Sequence, residues 1–250
     1  MPLHLVPHPT VTEPYIELHA RSAYSLLDGA CLPEVLVQRA ADLGLKGLAI
    51  LDRDDLGGAV RFQRAADAAQ LQPVHGATLT LSDGSVLPVL VQSREGWSHL
   101  CQHISAARLN TPRGYPCHDL EALRGKVSGL FALTGGLDGP IARALAQDDE
   151  PKATWRLSQL ISIFGREGLA VEVWRHGLPK EHQIADALIE LATQHRLMWL
   201  PTGDVRYAVA EDRVVQDVLT CLRHHTTLDE AGSLLLPNDA WHLRSANAMA

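Results

Sequence analysis

The chain has 250 residues, of which 46% are hydrophobic, and a net charge of −7 at pH 7. That length suits one sizeable α/β domain better than two small ones, and the acidic balance excludes a broadly basic surface that grips phosphate backbones, so we expect any contact with nucleic acid to be indirect. The four cysteines lack Cys-x-x-Cys spacing, and no signal sequence or run of about 20 apolar residues is visible, so we expect buried, reduced thiols, no membrane association and a cytoplasmic location.

The first predicted strand, residues 15–18, delivers a histidine at its end. His19 follows the apolar run, and a loop rich in Ser, Tyr, Asp and Gly separates it from a helix that Pro33 opens. Polar residues at strand ends carry the chemistry of many α/β proteins. A His-x-His pair here would place two imidazoles on one side of the strand, because side chains two residues apart share a face. In this chain the second position is Arg21.

Strand and helix patterns alternate along the rest of the chain, which predicts a mainly parallel sheet, open or closed. An Asp-Gly turn at residues 83–84 separates two apolar runs and predicts an antiparallel hairpin within that sheet. The later predicted strands cover 46–51, 74–81, 86–91, 130–133, 169–173 and 198–200. The predicted helices are one that ends near residue 70 and those at 95–108, 119–123, 140–146, 151–164, 179–195 and 210–222.

Three loops that follow predicted strands carry polar residues suited to a shared site. They cover residues 19–28, 52–55 and 202–207, and Asp204 lies in the third. In a barrel of parallel strands, loops of this kind meet on one rim. We therefore expect the three loops to lie close together.

The order of these motifs resembles a known family. LHARSAYSLLDGA, LAILDRDDLGGAVRF, VEVWRHGLP and PTGDVRYAVAEDRVVQDVLTCL are similar to the PHP (polymerase and histidinol phosphatase) domain, and most closely to the version at the N-terminus of bacterial C-family DNA polymerases. Those polymerases are the alpha subunit of DNA polymerase III and its error-prone paralogue. The resemblance implies a distorted (β/α)7-type barrel over residues 15–233, preceded by an extension at 1–14. Residues 234–250 would begin a linker toward a polymerase core that this chain does not reach.

The metal-binding members of that family hold up to three divalent metals for phosphoester hydrolysis, and the resemblance carries over only part of their ligand set. His19, Asp28 and Asp204 match ligand positions. Arg21, Arg53 and Arg206 stand where histidines are expected, and Thr78 stands where a glutamate is expected. Two further ligand positions correspond to Val86 and Gly136, so three plausible ligands remain of about nine.

The three arginines argue against metal on physical grounds as well. A guanidinium keeps its proton and has no lone pair to offer a metal. We expect Arg21, Arg53 and Arg206 instead to form charge-assisted hydrogen bonds with aspartates. The candidate partners are Asp28, Asp52, Asp54, Asp55 and Asp204.

We therefore predict a vestigial site rim without a catalytic residue and without a cofactor. Its members are His19, Arg21, Asp28, Asp52, Arg53, Thr78, Asp204 and Arg206. Two alternatives remain open. One is a remnant site for a single divalent metal (zinc, manganese or magnesium) on His19, Asp28 and Asp204. The other is an arginine pocket that holds a phosphate or nucleotide without cleaving it.

Three other polar features have structural interpretations. His176 matches the family pattern but is not predicted to be a ligand, and we expect it to be hydrogen-bonded. Glu172 would need a buried partner such as an arginine. His224 and His225 follow a predicted helix, which favours a polar C-capping role.

The predicted function is that of a structural domain of an error-prone DNA polymerase III alpha-type subunit, in DNA replication or translesion repair. The resemblance implies packing against the polymerase core or other replication and repair proteins, and the chain alone is expected to be inactive. A metal-dependent phosphoesterase or 3′-5′ exonuclease is the enzymatic alternative. That alternative requires His, Glu or Asp at the positions of Arg21, Arg53, Thr78 and Arg206.

Overall fold

Seven strands form one sheet within residues 15–249, the range that the computed structural model describes. The strands are β1 (Ile16–Ala20), β2 (Gly47–Arg53), β3 (Gln72–Thr80), β4 (Val86–Val91), β5 (Leu130–Leu133), β6 (Leu169–Val173) and β7 (Met198–Pro201). Their order in the sheet follows their order in the chain. Residues of β2 and β6 are buried almost without interruption, as is typical of parallel strands covered on both faces.

All neighbouring strands are parallel except at β4, which runs antiparallel to both β3 and β5. The turn before β4 contains Gly84 in the left-handed region (φ 78°), and Asp83 Oδ1 accepts a 2.9 Å hydrogen bond from the Ser85 backbone N–H. A left-handed glycine after an aspartate is typical of tight hairpin turns. The predicted antiparallel hairpin is therefore confirmed.

The sheet curls so that its first and last strands approach each other, and the end of β1 contacts the segment just after β7. Val205 forms a parallel bridge with Ala20 at the end of β1. The Arg21 N–H donates to the Val205 carbonyl at 2.8 Å, and the Val205 N–H donates to the His19 carbonyl at 2.9 Å. This closure makes the expected distorted (β/α)7-type barrel, and it brings the loops after β1 and β7 into contact.

Helices cover the outside of the sheet. They are α1 (Pro33–Asp42), α2 (Ala59–Ala69), α3 (Arg94–Asn110), α4 (Pro140–Leu145), α5 (Glu150–Phe164), α6 (Glu181–Gln194), α7 (Arg213–His224), α8 (Leu228–Ala231) and α9 (Ala246–Met249). Local signals set several of their ends: Pro33 occupies the first turn of α1, Ser93 caps α3, and Asp149 caps α5. The helix predicted at 119–123 is a single 3-10 turn, Glu121–Leu123.

The hydrophobic core has two large parts. One lies between β3–β6 and the helices α3–α6. The other lies around β1, β2, α1 and α2, and it includes Trp241 and Leu243 from the end of the chain. Trp241 also stacks on His176, with 4.2 Å between ring centroids. The segment after residue 233 is therefore packed into the barrel, while the proposed boundary at 233 stays a prediction, and the predicted extension at 1–14 lies outside the described residues.

The cysteines agree with expectation only in part. Cys31, Cys101, Cys117 and Cys221 are all free, but Cys117 is exposed and Cys101 is half-buried. The expectation of burial was therefore wrong for Cys117, which lies in a surface loop containing Pro112 and Pro116. No helix in residues 15–249 is both long and apolar enough to cross a bilayer.

Replacing Trp241 with alanine tests whether the end of the chain belongs to the folded unit. Trp241 is 4% exposed, so Trp241→Ala is expected to lower the free energy of unfolding by about 3–5 kcal/mol. Trp155, which is 53% exposed, supplies the matched control. Urea unfolding followed by circular dichroism measures both variants, and equal midpoints for Trp241→Ala and Trp155→Ala would contradict the assignment.

Candidate functional site

A group of six charged side chains lies where the loops after β1 and β7 meet. We call it the arginine–carboxylate cluster; it comprises Arg21, Arg53, Arg206, Arg223, Asp28 and Asp204. The register of β1 against β2 shifts between Glu17 and Ala20, which marks a β-bulge directly before Arg21. Bulges re-aim side chains at the ends of strands. Here the irregularity includes His19 and directly precedes Arg21.

Arg21 lies at the centre of the cluster and is fully buried. Its Nη1 donates to Asp28 Oδ2 at 2.6 Å, and its Nη2 donates to Asp204 Oδ1. Burial by itself would lower the pKa of the guanidinium, but the charges of Asp204 and Asp28 outweigh burial and raise the pKa. Arg21 is therefore a permanent cation that joins two carboxylates from different loops.

Asp28 is approached by four arginines. The nearest nitrogens lie at 2.6 Å for Arg21, 2.9 Å for Arg223, 3.7 Å for Arg206 and 3.9 Å for Arg53. Burial opposes ionisation of the carboxyl, but these arginines, Arg21 foremost, hold its pKa well below the ordinary value. Asp28 therefore stays ionised at neutral pH and neutralises part of a larger positive charge.

Asp204 is the second carboxylate of the cluster, and its backbone is left-handed (φ 43°). Its Oδ2 accepts hydrogen bonds from Arg206 Nη2 at 3.0 Å and from Trp241 Nε1 at 3.1 Å, while Oδ1 accepts from Arg21. Burial would raise the pKa of this carboxyl, but Arg21 and Arg206 lower it. Both of its oxygens are therefore occupied by donors from this chain.

His19 lies beside the cluster, with its Nε2 3.9 Å from Asp204 Oδ1, and its hydrogen bonds go to other residues. Its Nδ1 is 2.7 Å from Glu172 Oε1, and its Nε2 is 3.3 Å from Thr78 Oγ1. Burial would raise the pKa of Glu172, but His19 and the hydroxyl of Thr202 lower it. Glu172 was expected to need a buried partner, for example an arginine. Its partner is instead the histidine His19. Thr78 also donates to the Leu51 carbonyl at 3.0 Å.

Three of the five candidate aspartates take other partners than the arginines Arg21, Arg53 and Arg206. Asp52 accepts hydrogen bonds from the Ser22 N–H at 2.7 Å and from Ser25 Oγ at 2.8 Å. Burial raises the pKa of Asp52 despite these donors. Asp54 is bonded to Thr80 and lies 3.0 Å from His118 Nε2, and Asp55 accepts from Arg108. Of the five candidate partners, Asp28 and Asp204 are therefore the ones that meet Arg21 and Arg206, while Asp52, Asp54 and Asp55 are bonded to serines, Thr80, His118 and Arg108.

Arg53 is the least compensated cation of the cluster. Its Nε is 3.9 Å from Asp28 Oδ2, and within residues 15–249 that Nε has no hydrogen-bond partner. Burial, and then the charge of Arg21, lower the pKa of its guanidinium. Its side chain is 35% exposed, which leaves it in contact with solvent at the mouth of the barrel.

His176 is buried and hydrogen-bonded, as predicted. Its Nδ1 lies 3.0 Å from Glu181 Oε1, and its Nε2 lies 2.9 Å from the Gly203 carbonyl. Both ring nitrogens are therefore engaged by the protein itself. In the part of the chain that the structure describes, no group of three or more His, Cys, Asp and Glu side chains is arranged to hold a metal ion.

A model of the PHP domain family matches residues 17–176, more than half of the chain. The chain belongs to the PHP domain family. Error-prone DNA polymerase of Cutibacterium acnes is 36% identical over 95% of this chain and 22% of that protein. DNA polymerase III subunit alpha of Treponema pallidum is 31% identical over 94% of this chain and 21% of that protein. The chain thus spans about a fifth of the length of these curated relatives.

Solved structures agree on the fold. A protein of Bifidobacterium adolescentis named as a metal-dependent phosphoesterase superposes with a TM-score of 0.54, at 19% identity, over 77% of this chain and 88% of that chain. An amidohydrolase of Chromobacterium violaceum, solved with sulfate and without metal, gives a TM-score of 0.53 at 17% identity over 76% of this chain and 87% of that chain. At such low identities these similarities show the shared PHP-like barrel alone.

Sequence reasoning missed three residues of this PHP site. Glu17 accepts backbone hydrogen bonds from His19 and Gly203, and so ties β1 to the loop after β7. Arg223 reaches Asp28 from α7, and Trp241 reaches Asp204 from the last segment. The sequence could have indicated Glu17, because a charged residue inside an otherwise apolar strand needs a buried partner. The other two join the site only through long-range folding.

The cluster predicts a steep loss of stability in acid. Because the pKa values of Asp28 and Asp204 are lower in the folded than in the unfolded chain, their stabilisation is present above about pH 4 and is lost as the pH falls toward the folded values. Asp28→Asn is expected to lower the free energy of unfolding at pH 7 by about 3–5 kcal/mol, because it leaves Arg21 short of a partner. Below about pH 4 the variant is expected to lose stability less steeply than the wild type.

The control is Asp186→Asn, because Asp186 is exposed and lies 3.5 Å from Arg175 in a surface pair. Its pH dependence should match that of the wild type. Denaturant unfolding at several pH values measures all three proteins. Parallel pH profiles for Asp28→Asn and the wild type would show that Asp28 does not titrate as described.

Proposed function

We propose that this PHP barrel holds no catalytic metal and serves as a structural, protein-contacting domain of the error-prone type of C-family DNA polymerase, in replication or translesion repair. The observation that carries the proposal is the buried guanidinium of Arg21, which is hydrogen-bonded to both Asp28 and Asp204. These are two of the three side chains that match family ligand positions. Their oxygens face a cation that cannot leave the site without a large energetic cost.

A metal would have to compete with Arg21 for the same carboxylates. Divalent cations bind several oxygens at once, but Asp28 and Asp204 each already accept from two arginines. Displacing the Arg21 side chain would leave an unpaired charge in a site with 0% exposure, a change that costs several kcal/mol. His19 adds one ring nitrogen at most, because Glu172 engages the other. This balance favours the metal-free state.

The relatives support the polymerase context. Both are DNA polymerases by name, and the similarity runs over 94–95% of this chain. The net charge of −7 favours protein contacts over direct gripping of DNA. We therefore propose packing against a polymerase core or other replication and repair proteins as the role of the barrel.

Elemental analysis and a hydrolysis assay test the metal-free state. The purified chain is expected to carry far less than one equivalent of zinc, manganese or magnesium, because Arg21 occupies the carboxylates. Added manganese or zinc is expected to produce no hydrolysis of bis(p-nitrophenyl) phosphate above the rate of the metal alone. His19→Ala is the diagnostic variant, and His75→Ala, a half-buried histidine on β3, is the matched control.

Two rival functions give different results with the same preparations. A phosphoesterase would show stoichiometric metal and activity that His19→Ala abolishes and His75→Ala does not; that result would overturn our proposal. A phosphate-binding module is the second candidate, favoured by the Nε of Arg53, which has no hydrogen-bond partner among residues 15–249. It predicts that inorganic phosphate raises the melting temperature of the wild type but not of Arg53→Gln. Our proposal expects phosphate to affect the two equally.

A chimaera tests the polymerase context. In the error-prone DNA polymerase of Cutibacterium acnes, the segment that aligns with this chain is replaced by the chain itself. We expect the chimaera to extend primers at a rate similar to the parent, because the barrel supplies packing rather than chemistry. Deleting the segment should abolish soluble, active polymerase. A deletion variant as active and as heat-resistant as the parent would refute the structural role.

A further inference from the structure

A cavity of about 350 Å³ lies between α3 and the segment 117–126. Its volume falls within the range of roughly 300–1,000 Å³ that small-molecule sites occupy. The cavity is separate from the arginine–carboxylate cluster, because none of the six residues of that cluster lines it. Ala106 and Ala107 leave space on the side of the helix, and Leu123 contributes apolar surface from the facing segment. These residues offer an apolar environment to the body of a ligand.

His103, on α3, supplies a hydrogen-bond acceptor to this cavity. The residue is 7% exposed and lines the cavity, and its Nε2 lies 2.8 Å from the Lys126 carbonyl oxygen. Since a carbonyl oxygen can only accept, Nε2 carries the proton. Burial lowers the pKa of the ring, which therefore stays neutral at pH 7 and keeps a lone pair on Nδ1. Within residues 15–249 that Nδ1 has no hydrogen-bond partner.

His118 lines the same cavity and is held in a similar way. It is 5% exposed, and its Nε2 lies 3.0 Å from Asp54 Oδ1. Because a carboxylate accepts, Nε2 donates, and the neutral form of the ring has its lone pair on Nδ1. In the described part of the chain this Nδ1 also has no partner. The two rings lie close enough for the charge of a protonated His118 to lower the pKa of His103 further.

Contacts within the chain fix both histidines before any ligand binds. The His118 N–H donates to the Thr80 carbonyl at 2.8 Å, and the His118 carbonyl accepts from the Ser82 N–H at 2.9 Å. His103 is anchored by its bond to the Lys126 carbonyl. A site whose polar groups are already in place loses little conformational entropy when a ligand binds.

The chemistry of the cavity restricts its ligand. Two imidazoles and the thiol of Cys117 line it, but within residues 15–249 no three His, Cys, Asp and Glu side chains are arranged to hold a metal ion. Asp54 stands directly behind His118, and its negative charge disfavours an anion such as phosphate. Aliphatic amines are cations at pH 7, and burying a cation among apolar side chains is costly. The acceptors are therefore best matched by a neutral N–H donor.

We propose that this cavity binds a neutral heteroaromatic amine, a flat ring that carries an amino group. One such group supplies two N–H donors for the two acceptors, His103 and His118, whereas a hydroxyl supplies one. The ring packs against Ala106, Ala107 and Leu123. The carboxamides of Gln102 and Asn110 also line the cavity, and they can donate to the ring nitrogens of the ligand. This binding site goes beyond the structural role proposed above and does not depend on it.

Titration of the ¹⁵N-labelled full chain with adenosine, followed by NMR, tests the proposal. Saturable shifts are expected at Nδ1 of His103 and at the side-chain amides of Gln102 and Asn110, with a dissociation constant on the order of 0.1–1 mM. N6,N6-dimethyladenosine keeps the ring but has no amino N–H. It is expected to bind at least about tenfold more weakly, because a buried acceptor is left unpaired. This comparison requires no change to the protein.

Matched substitutions on α3 locate the site. Ala106→Leu fills the cavity from an exposed position and is expected to abolish binding, whereas Ser105→Leu, at a neighbouring exposed position outside the cavity, should bind like the wild type. His103→Phe removes the acceptor and is expected to weaken binding at least about tenfold. His99→Phe is its control, because His99 is also bonded to a backbone carbonyl, that of Ser128, but does not line the cavity. Circular dichroism verifies the fold of each variant.

Four results would overturn the proposal. The absence of saturable shifts up to about 10 mM adenosine excludes a binding site of this class. Equal affinity for N6,N6-dimethyladenosine shows that the amino group is not recognised. Unchanged binding by Ala106→Leu or His103→Phe places the ligand elsewhere on the chain. Adenosine monophosphate that binds more than about tenfold tighter than adenosine shows that a phosphate is recognised instead.

Discussion

The buried guanidinium of Arg21 between Asp28 and Asp204 is the contact on which the rest of the site depends. It joins the loop after β1 to the loop after β7, at the point where Ala20 and Val205 close the barrel. Each of its two carboxylates then engages another part of the chain. Asp28 reaches Arg223 on α7, and Asp204 reaches Trp241 in the last segment. One cation thereby organises both the closure of the sheet and the placement of two distant segments.

A guanidinium and a metal ion differ in the ligands they gather and in the chemistry they supply. A metal gathers carboxylates and imidazoles and keeps a coordination position open for chemistry, whereas a guanidinium gathers carboxylates only and offers no Lewis acidity. In this chain the arginine–carboxylate cluster joins the loops through hydrogen bonds and ion pairs. A buried ion network adds little net stability compared with an apolar core, but removing one member leaves a costly unpaired charge. Substituting any single member of the cluster is therefore expected to be costly.

Helix α7 is connected to the same network. Arg223 lies on α7 and is bonded to Asp28, so the helix is tied to the cluster by an ion pair. The same helix has four exposed aliphatic residues, Val214, Val215, Val218 and Leu222, and buries Gln216, Thr220 and Cys221. The exposed face of α7 and the arginine–carboxylate cluster are therefore linked through one salt bridge.

Local patterns in the chain were sufficient for the family, the alternation of strands and helices, the Asp-Gly hairpin and the presence of Arg21, Arg53 and Arg206 at or just after strand ends. These features depend on residues near one another in the sequence, where periodicity and motif spacing carry the information. Partner choice was not accessible in this way. Arg21 and Asp204 are 183 residues apart, and Arg223 and Asp28 are 195 apart. Which of five aspartates meets which arginine depends on how the barrel closes, and so does the exposure of the aliphatic residues of α7. Only the tertiary structure decides these contacts, because the energies of ion pairs and buried surfaces depend on distances that no local pattern encodes.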